Sequence, residues 1–149
     1  MIKLEVIEVA EPSQYALGGL KAYAAIATDA QDELLRSALA TAFDKVQRTA
    51  DVALLPGRWK VYAEDHSRVI RVYMGGRVVS ATDINGAVSF IQSGCRVAVG
   101  TDEAVEVEFT TEATPANYAR YITVVYQYAT ALYDGQDDKT LNRILNQCL

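Results

Sequence analysis

Cysteine, histidine and basic charge are all scarce in this chain of 149 residues, and each scarcity excludes a class of function. Cys95 and Cys148 are the only cysteines and form no CxxC pair. The single histidine, His66, has no metal-ligand spacing to either. The expectation is two free thiols in a reducing cytoplasm, with no metal site and no cofactor. Lysine and arginine number 14 against 19 acids, a net charge of −5. A nucleic-acid reader needs a basic patch, so sequence-specific binding is not expected. A surface of the same sign as the phosphates lets DNA pass without gripping it. No segment approaches the roughly 18 consecutive apolar residues of a membrane span. The stretch Met1-Ile2-Lys3-Leu4-Glu5-Val6 carries charges where a signal peptide has an unbroken apolar core.

Catalytic patterns are missing as well. His66 lies in Glu64-Asp65-His66-Ser67, which reads as a polar surface turn, although a Ser–His–Asp arrangement can be drawn on paper. Glu106 and Glu108 alternate along a strand and face solvent, and Asp137-Asp138 complements a helix start. Gly18-Gly19 and Gly75-Gly76 lack the context of a phosphate loop. These observations predict a protein that is not an enzyme, with no catalytic, cofactor-binding or metal residues.

What is present is the composition of a folded chain, 50% hydrophobic and 22% charged. No linker or low-complexity run divides it, so a single domain over 1–149 is expected. Residues 1–55 read as helical, 56–113 as strand-rich and 114–149 as helical. Ser13 caps a short helix from Gln14 to about Ala27, weakened by Gly18-Gly19. Thr28-Asp29 caps a second helix, about Ala30 to Val52. Its stripe is Leu35, Ala38, Leu39, Ala42, Phe43, Val46 and Ala50, with Ser37, Asp44, Gln47 and Arg48 opposite.

The period then changes to two. Trp59, Val61 and Ala63 alternate with Arg58, Lys60 and Tyr62, and Val69 to Met74 is a β-branched and aromatic run. Gly75-Gly76 and Asn85-Gly86 mark turns, the latter joining Ser80–Ile84 to Ala87–Gln92. Ala104 to Thr110 alternates, with Val105, Val107 and Phe109 inward. The pattern predicts an α+β fold: helices at both ends packed with a central antiparallel β-meander of five or six strands, one face buried.

Thr114-Pro115 opens the closing helix and Asp134-Gly135 ends it, so it runs from Pro115 to Tyr133. On a helical wheel Tyr118, Tyr121, Ile122, Val124, Val125, Tyr126, Tyr128, Ala129, Leu132 and Tyr133 fill roughly 200°, twice the usual stripe. A helix this apolar buries two sides. One faces its own core; the other faces the meander or a neighbouring subunit, and tyrosine suits an interface. A last helix from Asp138 places Leu141, Ile144, Leu145 and Cys148 on one face. Alone it is too short to be stable, so it docks on its own chain or on a partner. The candidate subunit-interface residues are Tyr118, Tyr121, Tyr128, Leu141, Ile144 and Leu145.

This order of elements resembles the head–tail connector (head-completion or adaptor) proteins of tailed phages and prophages. Leu20-Lys21-Ala22-Tyr23 with Asp29-Ala30-Gln31-Asp32-Glu33-Leu34-Leu35 is similar to the family's opening. Val105-Glu106-Val107-Glu108-Phe109 is similar to its strand before the closing helix. Pro115, Tyr121-Ile122 and Ala131-Leu132-Tyr133-Asp134-Gly135 are similar to that helix and its aromatic end. The family often has a basic residue after that aromatic, where this chain has Asp134-Gly135. The resemblance implies a virion structural protein assembled in the host cytoplasm. It implies a homo-oligomeric ring below the portal protein, docking a tail or stopper protein and letting DNA through. Another neck or tail-completion protein is the nearest alternative. A small bacterial enzyme or ligand-binding domain, with a pocket lined by Tyr62, Tyr73 or Tyr126, is the alternative of a different class.

Overall fold

The computed structural model describes residues 1–149, and its contacts fall into two compact units. The sheet unit comprises Met1–Ala10 and Leu55–Ala113; the helical unit comprises Glu11–Leu54 and Thr114–Leu149. The fold class is α+β, with four α-helices and antiparallel sheets.

The sheet unit opens with β1 (Ile2–Val9), a strand where the sequence reading placed the head of a helical region. Its pattern is legible in retrospect, because Lys3 and Glu5 alternate with Ile2, Leu4 and Val6. Its partner is β2 (Gly57–Ala63), two helices away in sequence, in the register Leu4↔Val61 and Val6↔Trp59. Trp59, Val61 and Ala63 of β2 are buried, as the alternation predicts. Then follow β3 (Val69–Arg71), β4 (Arg77–Asp83), β5 (Gly86–Ala87), β6 (Phe90–Ser93), β7 (Arg96–Val99) and β8 (Val105–Thr111).

The strands do not form one meander. They make a five-stranded sheet, β1-β2-β8-β4-β5, and a three-stranded sheet, β3-β7-β6. The last strand sits in the middle of the large sheet, with Val105, Val107 and Phe109 facing its core. The expected strand Ala87–Gln92 breaks in two. Val88 N–H still donates to Ala81 O (2.9 Å), and the chain then crosses to the small sheet at Phe90.

The hairpin is present, but Asp83 Oδ1 accepts from Asn85 N–H (2.8 Å), closing the turn on Ile84-Asn85. Neither residue has positive φ; Gly86 does, at +118°. The other turn is likewise one residue early. Met74 and Gly75 take the left-handed conformations of a type I′ turn (φ 56° and 65°), closed by Gly76 N–H to Tyr73 O.

In the helical unit, α1 (Gln14–Tyr23) starts where Ser13 Oγ accepts from Ala16 N–H (3.1 Å). It ends earlier than expected, with Ala25 left-handed (φ 57°). Next, α2 (Asp32–Ala50) has no side-chain cap. The carboxylate expected to cap it, Asp29, is drawn instead to Lys21 Nζ (2.6 Å), which also holds Asp32 (2.9 Å). Leu35, Leu39, Ala42, Phe43 and Val46 form the buried stripe. Gln47 joins it rather than the polar side, because its Oε1 accepts from Leu54 N–H (2.7 Å) and so caps the chain leaving the helix.

The closing helix α3 spans Pro115–Tyr133 as predicted, with Thr114 Oγ1 accepting from Asn117 N–H (3.2 Å). It stops at Gly135 (φ 72°), where Gln136 N–H bonds back to Ala131 O (2.9 Å). Finally α4 (Asp138–Leu145), capped by Asp137, runs into a 3-10 turn, Asn146–Cys148. Both rest on α2 and α3 of the same chain, so the tail docks in cis.

Candidate functional site

The tyrosine-rich helix behaves differently from the expectation built on its wheel. Part of its second apolar side is covered within the helical unit itself. The helices that pack against it are α1, α2 and α4. Between Tyr118 and Tyr133 only Ala119, Arg120 and Thr123 are exposed. Ala131, outside the apolar arc of the wheel, is buried as well. Two aromatic pairs fasten the helix: Phe43 stacks near Tyr118 (centroids 6.1 Å) and Tyr23 tilts toward Tyr126 (6.0 Å).

Of the candidate interface residues, Tyr121, Tyr128 and Leu141 are 7%, 5% and 7% exposed, covered by the chain itself. Tyr118, Ile144 and Leu145 are half-buried and keep some free surface. The sequence signal could not make this division, since a wheel gives the width of an apolar arc but not what fills it.

A cleft of about 400 Å³ opens beside α3, lined by Tyr15, Gly18, Gly19, Tyr118, Ile122 and Tyr126. Gly19 explains the glycine pair inside α1: a Cβ there would collide with the Tyr126 hydroxyl. Tyr126 donates a hydrogen bond to the Tyr118 hydroxyl. Burial is the chief cause that pushes the Tyr126 hydroxyl up to about 12, and it raises Tyr118 in the same direction. Both therefore stay protonated across the physiological range. The cleft carries no charged side chain and no nucleophile activated by a base. Tyr62 and Tyr73 belong to the sheet unit; the Tyr62 hydroxyl lies 3.5 Å from Glu64, and Arg71 covers the Tyr73 ring at 5.2 Å.

A second groove of similar volume, also in the helical unit, is lined by Tyr23, Thr130, Ala131, Asp134 and Ile144 among others. The acidic turn Asp134-Gly135-Gln136-Asp137-Asp138 adjoins it.

His66 ties two loops of the sheet unit together. Its Nδ1 accepts from Arg68 N–H (3.0 Å), which leaves Nε2–H to donate to Glu103 O (2.6 Å). Arg68 adds a bidentate pair to Asp102 (2.6 and 2.7 Å), and that guanidinium holds the Asp102 carboxyl below its usual range. Glu106 and Glu108 face outward and join a charge ladder: Lys60 reaches Glu5 (3.3 Å) and Glu106 (3.7 Å), and Arg58 Nε reaches Glu108 (3.1 Å). No cluster of three His, Cys, Asp or Glu side chains is placed to hold a metal ion. Both cysteines are free, and no helix is long and apolar enough to cross a membrane.

No protein-family model and no curated protein matches this chain. Solved structures do match its fold. It aligns over 99% of its length, and 94% of the other chain, with a chain from the neck of an empty gene transfer agent (GTA) particle computed with C6 symmetry. The TM-score is 0.61 and the identity 16%. A chain in the virion of a native GTA particle matches at TM-score 0.59 and 17% identity, over 91% of this chain and 86% of that one. A chain from the neck of a native GTA particle computed with C12 symmetry matches at 0.52 and 16%, over 94% and 93%. At these identities the likeness is one of fold.

Proposed function

We propose that this chain is a structural subunit of the neck of a phage-like particle, a head–tail connector rather than an enzyme. Copies assemble into a ring below the portal, dock a tail or stopper protein on the other side, and let DNA pass unread. The observation that carries this reading is the likeness of fold over 99% of the chain to a neck structure, with a second neck structure and a virion among the matches. The C6 and C12 symmetries of those necks favour a cyclic arrangement here as well. The resemblance in element order, from the capped α1 to the aromatic end of α3, supports the same reading. So does the net charge of −5, which suits a conduit that does not hold DNA.

The nearest alternative is a neck or tail-completion ring on the tail side, which the fold likeness supports as well. The two are separated by co-purification with the portal protein or with tail tubes. Stable capture of portal supports the connector; capture of tails alone moves the chain to the tail side.

A further inference from the structure

The two sheets have outer faces of opposite character. On the five-stranded sheet, Lys3, Lys60 and Arg58 each stand beside a glutamate, so that face is a balanced ladder. On the three-stranded sheet, Arg71 of β3 stands directly across from Arg96 of β7. Like charges in that position repel. No Asp or Glu occurs in β3, β6 or β7, which carry Arg71 and Arg96. In a chain of net charge −5, this is a local reversal of sign. The same face continues as an apolar row. The register Val69↔Ala98↔Ile91 puts these three side by side, with Val69 48% and Ile91 75% exposed. Val97 and Ile70, which alternate with them, point inward and are buried.

An arginine pair flanking exposed valine and isoleucine has the composition of a protein interface. A phosphate-binding surface needs the cations but not the apolar row. The complementary surface lies on the same chain. The helical unit's second groove sets Tyr23, Ala131 and Ile144 among glutamines and threonines, with Asp134 in its lining and the acidic turn to Asp138 adjoining it. This turn carries three acids, with Lys139 following them. A cationic patch on one face and an acid-rimmed groove elsewhere make a head-to-tail contact, which closes into a ring when its rotation allows.

Resting on the assembly reading above, we infer that the outer face of the three-stranded sheet docks into the Tyr23–Ala131–Ile144 groove of a second copy. Ile91 and Val69 enter the groove, and Arg71 and Arg96 meet Asp134 and Asp138 of the neighbour. The balanced five-stranded face is left out of the contact.

Charge reversal tests this with sedimentation velocity at concentrations where the wild type self-associates. Arg71→Glu/Arg96→Glu alone, and Asp134→Lys/Asp138→Lys alone, each stay monomeric. An equimolar mixture assembles, because every contact in an alternating ring then joins opposite charges. Ile91→Asp, at an exposed position that the fold does not need, weakens association at least tenfold. Far-UV circular dichroism confirms that each variant is folded. Variants that assemble like the wild type, or a mixture that stays monomeric, overturn this contact while leaving the assembly reading intact. A wild type that is monomeric both free and with portal overturns the assembly reading itself. Salt-dependent binding of duplex DNA, abolished by Arg71→Glu/Arg96→Glu with self-association unchanged, assigns the face to nucleic acid and overturns the inference.

Discussion

Two adjacent glycines in one helix should respond to the same substitution with opposite signs. Both Gly18 and Gly19 lie inside α1, so alanine at either gains roughly 0.5–1 kcal/mol of helix propensity. At Gly18 nothing lies within 4 Å of the added methyl group, and the gain stands. At Gly19 the methyl group meets the Tyr126 hydroxyl, and the ring carbon that bears it at 2.8 Å. Tyr126 cannot retreat freely, because its ring lies against Tyr23 and its hydroxyl bonds to Tyr118. Overpacking of this kind costs about 1–3 kcal/mol, so Gly19→Ala is net destabilising by up to about 2 kcal/mol. The gap between the two variants is about 1–3 kcal/mol. Urea unfolding followed by far-UV circular dichroism measures it, with an unchanged slope showing that stability alone has moved. Adding Tyr126→Phe to Gly19→Ala removes the nearest atom and recovers part of the loss, a positive coupling of at least about 0.5 kcal/mol. Equal effects at Gly18 and Gly19, or no coupling to Tyr126, would refute the close approach of α1 and α3.

Leu141→Ala should destabilise the chain by about 2–3 kcal/mol in a denaturant titration, because Leu141 is only 7% exposed and belongs to the fold. Polar substitution at half-buried Ile144 should spare the fold and weaken assembly, read by thermal melting beside sedimentation. The Tyr126 hydroxyl has a higher pKa folded, about 12, than the ordinary value of 10.0. Its contribution is present in full below pH 10 and is lost as pH rises toward 12. Melting temperature should therefore fall through that window, and less steeply in Tyr126→Phe. Thr114→Ala removes the cap of α3 and should cost about 1 kcal/mol.

Elements whose signals are local were legible in the sequence. Thr114-Pro115 and Asp134-Gly135 bound α3 to the residue, and the alternation of Trp59, Val61 and Ala63 identified β2. What was missed depends on distant partners. Ile2–Val9 is a strand because β2 is available to pair with it. The chain breaks at Val88-Ser89 because one arm of the hairpin is shared between two sheets. Gln47 is buried because the backbone at Leu54 returns to it. The site was half legible for the same reason. The wheel identified a helix that needs covering on two sides, and only the packing of α1, α2 and α4 reveals which of its residues its own unit covers. The cationic face of the three-stranded sheet was hidden, since Arg71 and Arg96 are far apart in sequence and meet only through the β3–β7 register.

The central claim is that copies of this chain form a closed ring at the neck of a particle. Electron microscopy of the chain incubated with its portal protein tests it most directly. The expected image is a closed ring stacked coaxially on the portal, with the C6 and C12 symmetries in which the necks of like fold were computed favouring six-fold or twelve-fold order. Portal particles that remain bare, with the chain monomeric beside them at saturating concentration, would contradict it.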